Sequence, residues 1–499
     1  MRCLLRHLQA GLRTTGVVQH RAAQTAAASA IPTPGQPTPQ THPHLLRDGY
    51  LTMGTSSTEY AHRRRRLVEQ IPPMSLMLLP SHPIKIMTHD IPWAFRQESN
   101  FHYLTGLEEP DCAMCIEKAA DGTPTFTLFV QPTSEEHQLW HGPRTGTAAA
   151  RALFGCDVAA EISQLPEFLL SRLSQSVTGS GTTKQVRLYY KEGINPATDR
   201  TVSQVFNKAG LPNYYDAGGH VQQLRRFKSP SDVAMLRRAA DISKHMFLQA
   251  YRTTRPGLTE HDIFNVMEFE ARLHGAQRLA YPPVVASGSN GLSLHYIKNM
   301  QILRDGDLLL VDAGAEYHHY TSDVTRTWPV NGRFSPAQKV VYEAVLDVNE
   351  AIVKAHKGAA HTTFSIHELS VRLITQNLIE LGILKGTVES NIASRAYTKY
   401  YPHSIGHPLG WDIHEEETTT LAPNMVVTVE PGLYLPVSDS VPKEFQGIAV
   451  RIEDNIVLTT AEPIVLTKDI PKSIEAVERV MQEGSSHPLS TYIHSNRAV

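Results

Sequence analysis

The chain has 499 residues, 41% of them hydrophobic, with 47 basic against 49 acidic side chains and a formal net charge of −2. It is too long for one ordinary domain and apolar enough for real cores, which points to two or three globular units. The balanced charge gives no bulk electrostatic case for a nucleic-acid partner, and no apolar run approaches the roughly 20 residues of a membrane helix.

The opening stretch MRCLLRHLQAGLRTTGVVQHRAAQTAAAS carries Arg2, Arg6, Arg13 and Arg21, and the first acidic residue of the chain is Asp48. At about 100° per residue, Leu4, Leu5, Leu8 and Leu12 share one helical face, with Arg2, Arg6 and Arg13 opposite. An amphipathic, Arg-rich, acid-free N-terminus predicts a mitochondrial transit peptide. IPTPGQPTPQTHPH follows, with Pro32, Pro34, Pro37, Pro39 and Pro43, and reads as an extended linker. Residues 1–47 are therefore assigned to transit peptide and linker, and folding is expected from near Asp48.

RRRRLVEQI, from Arg63, reads as a helix whose arginines face solvent or phosphate. From there to about Asp216, SLMLLP, TFTLFV and QVRLYY read as strands, and GTAAARALFG and PEFLLSRL as helices. That alternation predicts an open α/β sheet, in an N-terminal α/β domain over residues 48–220. DCAMCIEK contains the C-x-x-C pair Cys112 and Cys115, without a second C-x-x-C or a βαβ context. It reads as a strand with two small buried thiols. Four cysteines in all give no reason to expect a disulfide framework.

A boundary follows. Ser229, Pro230 and Asp232 form an N-cap, a first-turn proline and a capping box, so a helix should run to about Tyr251. Thr259 and Asp262 cap a second helix. EAVLDVNEAIVKA and HKGAAHTTFSIHELSVRLITQNL repeat the pattern. Two helix-pair-plus-sheet halves suggest an internally duplicated domain over residues 221–475 with a site at the seam. Residues 476–499 read as a tail.

The seam would be acidic. VDAGAEYHHYTSDVTRT reads as a hairpin centred between Tyr317 and His318, which sets Asp312 opposite Asp323, where like charges repel. HSIGHPLGWDIHE offers His403, His407 and His414. VVTVEPGLY offers Glu430. GIAVRIEDNIVL offers Arg451 and Glu453, two apart and so on one strand face. Each alone is weak, because a loop histidine or strand glutamate more often faces solvent. However, the runs LLLVD, VVTVE and AVRIE are apolar, so these acids sit in strands that read as core. Burying unpaired carboxylates is costly, and divalent cations would supply the missing charge. Four carboxylates and one imidazole, without thiolate, favour Mn2+, Mg2+ or Co2+. Four carboxylates suit two metals about 3.5–4 Å apart, holding and acidifying a shared water.

At these residues the chain resembles metallopeptidases of the pita-bread (M24) family: DAG…SDVTRT, HSIGHPLGWDIH, TVEPGLY and VRIED together match the five-ligand pattern. DIPWAFRQESNFHYLTGLEEPD and LWHGPRTG look like the N-terminal domain of the aminopeptidase P branch, and GYLTMGTSSTEYAHRRRRL like the lead-in of its mitochondrial form. The resemblance covers about Asp48 to Lys472. It implies a creatinase-like α/β domain followed by a pita-bread domain, and a homodimer. It implies metal-dependent release of the N-terminal residue from peptides with proline in second position, using two Mn2+ per subunit, with Co2+ or another divalent metal as a substitute.

Carried over residue by residue, Asp312 would hold one metal, Asp323 and Glu453 would bridge both, and His407 and Glu430 would hold the second. Glu430 would also be the general base. His295, His403 and His414 would face substrate, and Arg451 would orient nearby acids. Tyr434 would line the site, with Trp140 added from a neighbouring subunit. Where the family has aspartate after the third histidine, this chain has Glu415 and EEETTT, which implies a differently shaped substrate rim. Prolidase, which cleaves Xaa-Pro dipeptides, would use the same ligands but fits the N-terminal stretches less well. Methionine aminopeptidase lacks that domain, and creatinase lacks the acidic ligands. A non-catalytic binding scaffold would have lost some of the five.

Overall fold

The computed structural model describes residues 34–174, 176–179, 182–359 and 361–484. The expected transit peptide up to residue 33, and residues 485–499 of the expected tail, lie outside the described residues.

The N-terminal domain is the expected α/β sheet. Helix α1 (Ser57–Gln70) is capped by the Ser56 side chain. It leads into β1 (Ser75–Pro80), buried at every position, and then α2 (Ser99–Thr105), β2 (Ala113–Lys118), β3 (Pro124–Val130), α3 (Glu135–His141), α4 (Gly146–Leu153), β4 (Val158–Glu161), α5 (Leu165–Leu173), β5 (Arg187–Tyr189), α6 (Pro196–Ala209) and α7 (Gly218–Arg226). The strand order is β5-β1-β2-β3-β4, with β5 and β4 parallel to their neighbours and the rest antiparallel. Cys112 and Cys115 are free, buried thiols at and within β2. Val221 and Leu224 of α7 belong to a core that joins this sheet's Met77 and Met114 to Leu236 and Trp411 of the second domain.

The second domain is built twice from one plan. Helices α8 (Pro230–Thr253) and α9 (Glu260–Leu273) carry the expected capping boxes at Ser229/Asp232 and Thr259/Asp262. They back an antiparallel sheet of β6 (Val284–Ser287), β7 (Leu308–Ala313) and β8 (Val324–Pro329). Helices α10 (Pro336–Ala355) and α11 (Thr363–Glu380) are capped the same way by Ser335/Gln338 and Thr362/Ser365. The second sheet pairs β9 (Val426–Val429), after which β10 (Gly432–Tyr434) and β11 (Ala449–Arg451) form a ribbon, with β12 (Asp454–Val457) and β13 (Ile464–Val465). One core runs through both halves, from Ile242 and Met267 through Val311 and Trp328 to Val345, Val429 and Ile456.

Four expectations are corrected. Part of the expected tail is helix α12 (Ile474–Glu483), whose Val477 and Val480 close the core; its apolar face requires burial. Part of the Pro-rich linker is docked: the Gln36 amide donates to Gly106 O and accepts from Glu108 N–H, both at 2.9 Å. The hairpin register is offset. Tyr317 pairs with Tyr320 and Asp312 with Thr325, so the two-residue turn is His318-His319, with φ of 48° and 70°. That primed turn geometry, one residue later than expected, fixes the register.

The fourth correction concerns the arginine run. Arg63 and Arg64 are buried. Arg64 donates to the carbonyls of Leu104 and Phe154. Arg63 reaches Asp232 Oδ1 of the α8 capping box at 2.7 Å and lies 4.3 Å from the Tyr103 ring centroid. This pair ties the two domains together. Arg63→Ala leaves Asp232 buried and unpaired, and is expected to cost ~3–5 kcal/mol in denaturant unfolding. Arg65→Ala, on the exposed face, should change stability by no more than ~0.5 kcal/mol; equal effects would contradict the pairing.

Candidate metal centre

The acids meet where the two sheets face each other. On the first side, the chain pinches between β7 and β8: a Cβ on Gly314 would lie 1.7 Å from the Ser322 carbonyl oxygen. Only glycine permits that approach. It breaks the ladder, so Asp323 leaves the strand register yet converges on Asp312. The Tyr281 hydroxyl sits 2.5 Å from Asp312 Oδ1 and 2.6 Å from Asp323 Oδ1. The second side has the same device. A Cβ on Gly406 would lie 2.1 Å from Thr428 O, and this closeness lets His407 N–H donate to Thr428 Oγ1, which in turn donates to Glu430 Oε1.

His407 Nδ1–H is committed to Pro408 O, so Nε2 faces Asp323 Oδ2 at 3.4 Å and Glu430 Oε1 at 3.5 Å. Ligand atoms of Asp323, His407 and Glu453 lie within 4.8 Å of one another. Thr325 donates to Glu453 Oε2 and accepts from Arg451 Nε. The Arg451 guanidinium also holds Asp312 Oδ2 at 2.6 Å and the Tyr434 hydroxyl at 2.9 Å. The five expected ligands and Arg451 thus form one connected cluster.

Its charge is unbalanced. Burial first, then repulsion from Asp323, Glu430 and Asp312, holds the Glu453 carboxyl well above the carboxylate range. Burial pushes Glu430 up to about 7 against the pull of His407 and Arg451. Burial alone would lower His407, but Asp323 and Glu430 outweigh it and raise it to about 9. Four buried acids thus face two protein cations. Four carboxylates with one imidazole nitrogen aimed among them are a donor set for hard divalent cations, and the residues fit such ions.

The remaining expected residues divide. His414 stacks edge-on against His407 at 4.3 Å between centroids, is exposed, and feels the charge of His295, also exposed. Both line the rim. His403 has both ring nitrogens engaged, Nδ1 with Ser404 O and Nε2 with the Tyr434 hydroxyl at 2.9 Å. It buttresses the Tyr434–Arg451–Asp312 chain, with no nitrogen free for substrate. Trp140 is 73% exposed on α3 and makes no contact with the cluster within this chain. Glu415 is no rim residue. It is buried, bonded to Lys228 Nζ at 2.8 Å, Arg225 Nη2 at 3.0 Å and Trp411 N–H at 2.9 Å, so the exposed part of EEETTT starts at Glu416. Neighbouring Asp412 is gripped by Arg225 at 2.6 Å and Arg96 at 3.3 Å, which anchors the His407–His414 loop to the N-terminal domain. Sequence reasoning missed Tyr281. A cavity of about 270 Å³ is lined by His407 and Thr428, and another of about 530 Å³ is lined by Tyr281 but by none of the four acids.

Known proteins resemble this chain in sequence and fold. Residues 234–460 match the model of metallopeptidase family M24, and residues 60–178 that of the aminopeptidase P N-terminal domain. Xaa-Pro aminopeptidase 3 from Homo sapiens is 36% identical, over 90% of this chain and 91% of that protein. The chain belongs to metallopeptidase family M24. Another M24 relative, the mitochondrial intermediate cleaving peptidase 55 of Arabidopsis thaliana, is 34% identical over 100% of this chain and 95% of its own length. The structure of E. coli aminopeptidase P with the inhibitor Pro-Leu superposes with a TM-score of 0.80 at 34% identity, covering 86% of this chain and 98% of that one. Membership of M24 makes the chain a metallopeptidase that binds a divalent metal.

A cation requires Glu430 and His407 without their protons. Both hold protons in the metal-free protein, to about pH 7 and about pH 9. Metal uptake near neutral pH should therefore release protons, and affinity should rise as pH climbs towards 9. Calorimetry in buffers of different ionisation heat measures this. Because both values are raised on folding, their stabilising contribution is full at low pH and lost as pH passes through about 7 and then about 9. Metal protection against heat should grow over that window; a flat pH response would contradict it.

Proposed function

We propose that this chain is an aminopeptidase that releases the N-terminal residue from peptides with proline in second position, using two Mn2+ ions. The observation that carries this reading is the convergence of the five residues Asp312, Asp323, His407, Glu430 and Glu453 on one under-neutralised cluster. The names of its relatives support the substrate class. In this reading Asp312, Asp323, His407, Glu430 and Glu453 would hold the ions. Bound cations would neutralise the acids, take the substrate's free amine and supply an activated water at neutral pH.

The protein's own groups do the rest. Glu430, held at Oε1 by Thr428, accepts the proton of the attacking water at its other oxygen and passes it to the departing nitrogen, which as a proline nitrogen has no hydrogen of its own. His414 and His295, exposed at the rim, stabilise the developing oxyanion as preorganised donors. Arg451, fixed by Thr325 and Tyr434, aims Asp312 and opposes the upward push of burial on its carboxyl. His403 holds Tyr434 in place.

The Arg-rich, acid-free N-terminus and the mitochondrial Arabidopsis relative support a mitochondrial location. A homodimer is supported by apolar side chains exposed on the N-terminal domain: Leu139 and Trp140 on α3, and Ile86, Met87, Ile91 and Trp93 on a short hairpin. In such a dimer Trp140 would reach a neighbouring subunit.

The test is release of the first residue from an Xaa-Pro-Xaa tripeptide by metal-free protein, with and without added Mn2+. Mn2+ should restore cleavage, and Glu430→Gln should lower it by at least ~100-fold. Cleavage confined to Xaa-Pro dipeptides would replace this reading with prolidase. Folded protein inactive with every divalent metal would replace it with a binding scaffold.

A further inference from the structure

A second cluster of ligating side chains lies away from the acid centre, where the two domains meet. His102 comes from α2, Glu108 from the loop after it, and His319 from the tip of the β7–β8 hairpin. Both imidazole Nε2 atoms approach the same oxygen, Glu108 Oε1, at 2.6 Å from His102 and 3.3 Å from His319. All three ligand atoms lie within 4.8 Å of one another. The rings stack with centroids 4.1 Å apart and are 2% and 4% exposed.

These buried nitrogens are poorly served by the protein. Neither nitrogen of His102, nor Nδ1 of His319, has a hydrogen-bond partner. Glu108 Oε1 stands 2.6 Å from His102 Nε2 as an ion-pair contact. Orphaned buried polar atoms are rare in folded proteins. The nearest fixed cation, Arg63, is already spent on Asp232. A cavity of about 230 Å³ lined by Glu108, His318 and His319 gives an entry path from solvent. A two-residue turn with positive φ at both positions is best served by Asn-Gly, yet here it holds two histidines.

We propose that His102 Nε2, His319 Nε2 and Glu108 form a separate divalent-cation site, selective for Zn2+, that ties the N-terminal domain to the hairpin carrying Asp312 and Asp323. Two imidazoles and one carboxylate suit Zn2+, with water from the cavity as the fourth ligand. Ligands about 2.0–2.1 Å from a tetrahedral zinc lie about 3.3 Å apart. The His319 contact already has that spacing. The His102 contact must open slightly, which the 38%-exposed Glu108 side chain permits, and the rings stacked at 4.1 Å must part by about 1 Å to meet one tetrahedral ion. The softer, nitrogen-rich donors distinguish this site from the oxygen-rich acid centre.

The test uses the full chain with the acid centre disabled by Asp312→Asn and Asp323→Asn. Zn2+ is measured by equilibrium dialysis with elemental analysis, and Co2+ by visible absorption. One equivalent of Zn2+ should remain bound in that background, and Co2+ should give the intense bands of a four-coordinate site. Glu108→Gln, at a partly exposed position, should abolish both with circular dichroism unchanged, and His102→Asn should do the same. No Zn2+ bound in that background, or binding that survives both variants, overturns the proposal.

Discussion

Four carboxylates buried at one point are the constraint on which the rest of this structure depends. Asp312, Asp323, Glu430 and Glu453 repel one another, and burial first, with that repulsion added, holds Glu430 and Glu453 above the carboxylate range. Arg451 and His407 offset only part of it. Tyr281 offers one proton to two acids and serves one at a time. A chain that gathers such groups in its core has a use for a concentrated positive charge there, and divalent cations are the compact way to supply it.

The duplicated scaffold is what makes the gathering possible. Each half contributes a helix pair, a three-stranded sheet and a glycine that lets two backbones nearly touch, Gly314 against Ser322 and Gly406 against Thr428. Those two pinches turn acids and histidine out of regular ladders and into the seam. The N-terminal domain then fixes the parts that could drift. Arg63 holds α8 through Asp232, while Arg96 and Arg225 hold the loop between His407 and His414 through Asp412. The hairpin that carries two ligands is therefore held at its arms by β6 and at its tip by the other domain.

Much of this was legible in the sequence because its signals are local. SLMLLP is a strand buried on both faces, so it reads as an unbroken apolar run; Ser229/Asp232 and Thr259/Asp262 announce their helices within four residues. The candidate acids Asp312, Glu430 and Glu453 were legible because they end or follow apolar strands. What was not legible depends on distant partners. Arg63 looks like a solvated charge until Asp232, 169 residues away, is placed beside it. Tyr281 sits in no motif and acquires its role only when β7 and β8 are paired. The hairpin register turned on a single residue, since His318-His319 gives little sign of a primed turn. Glu415 looked like a change in the rim and is an anchor for Arg225 and Lys228.

The central claim, that the seam holds a pair of cations, is tested most directly by anomalous diffraction from crystals of the Mn2+-loaded protein. The account predicts two manganese peaks about 3.5–4 Å apart, enclosed by Asp312, Asp323, His407, Glu430 and Glu453. A single peak there, or none with the five side chains ordered, would contradict it.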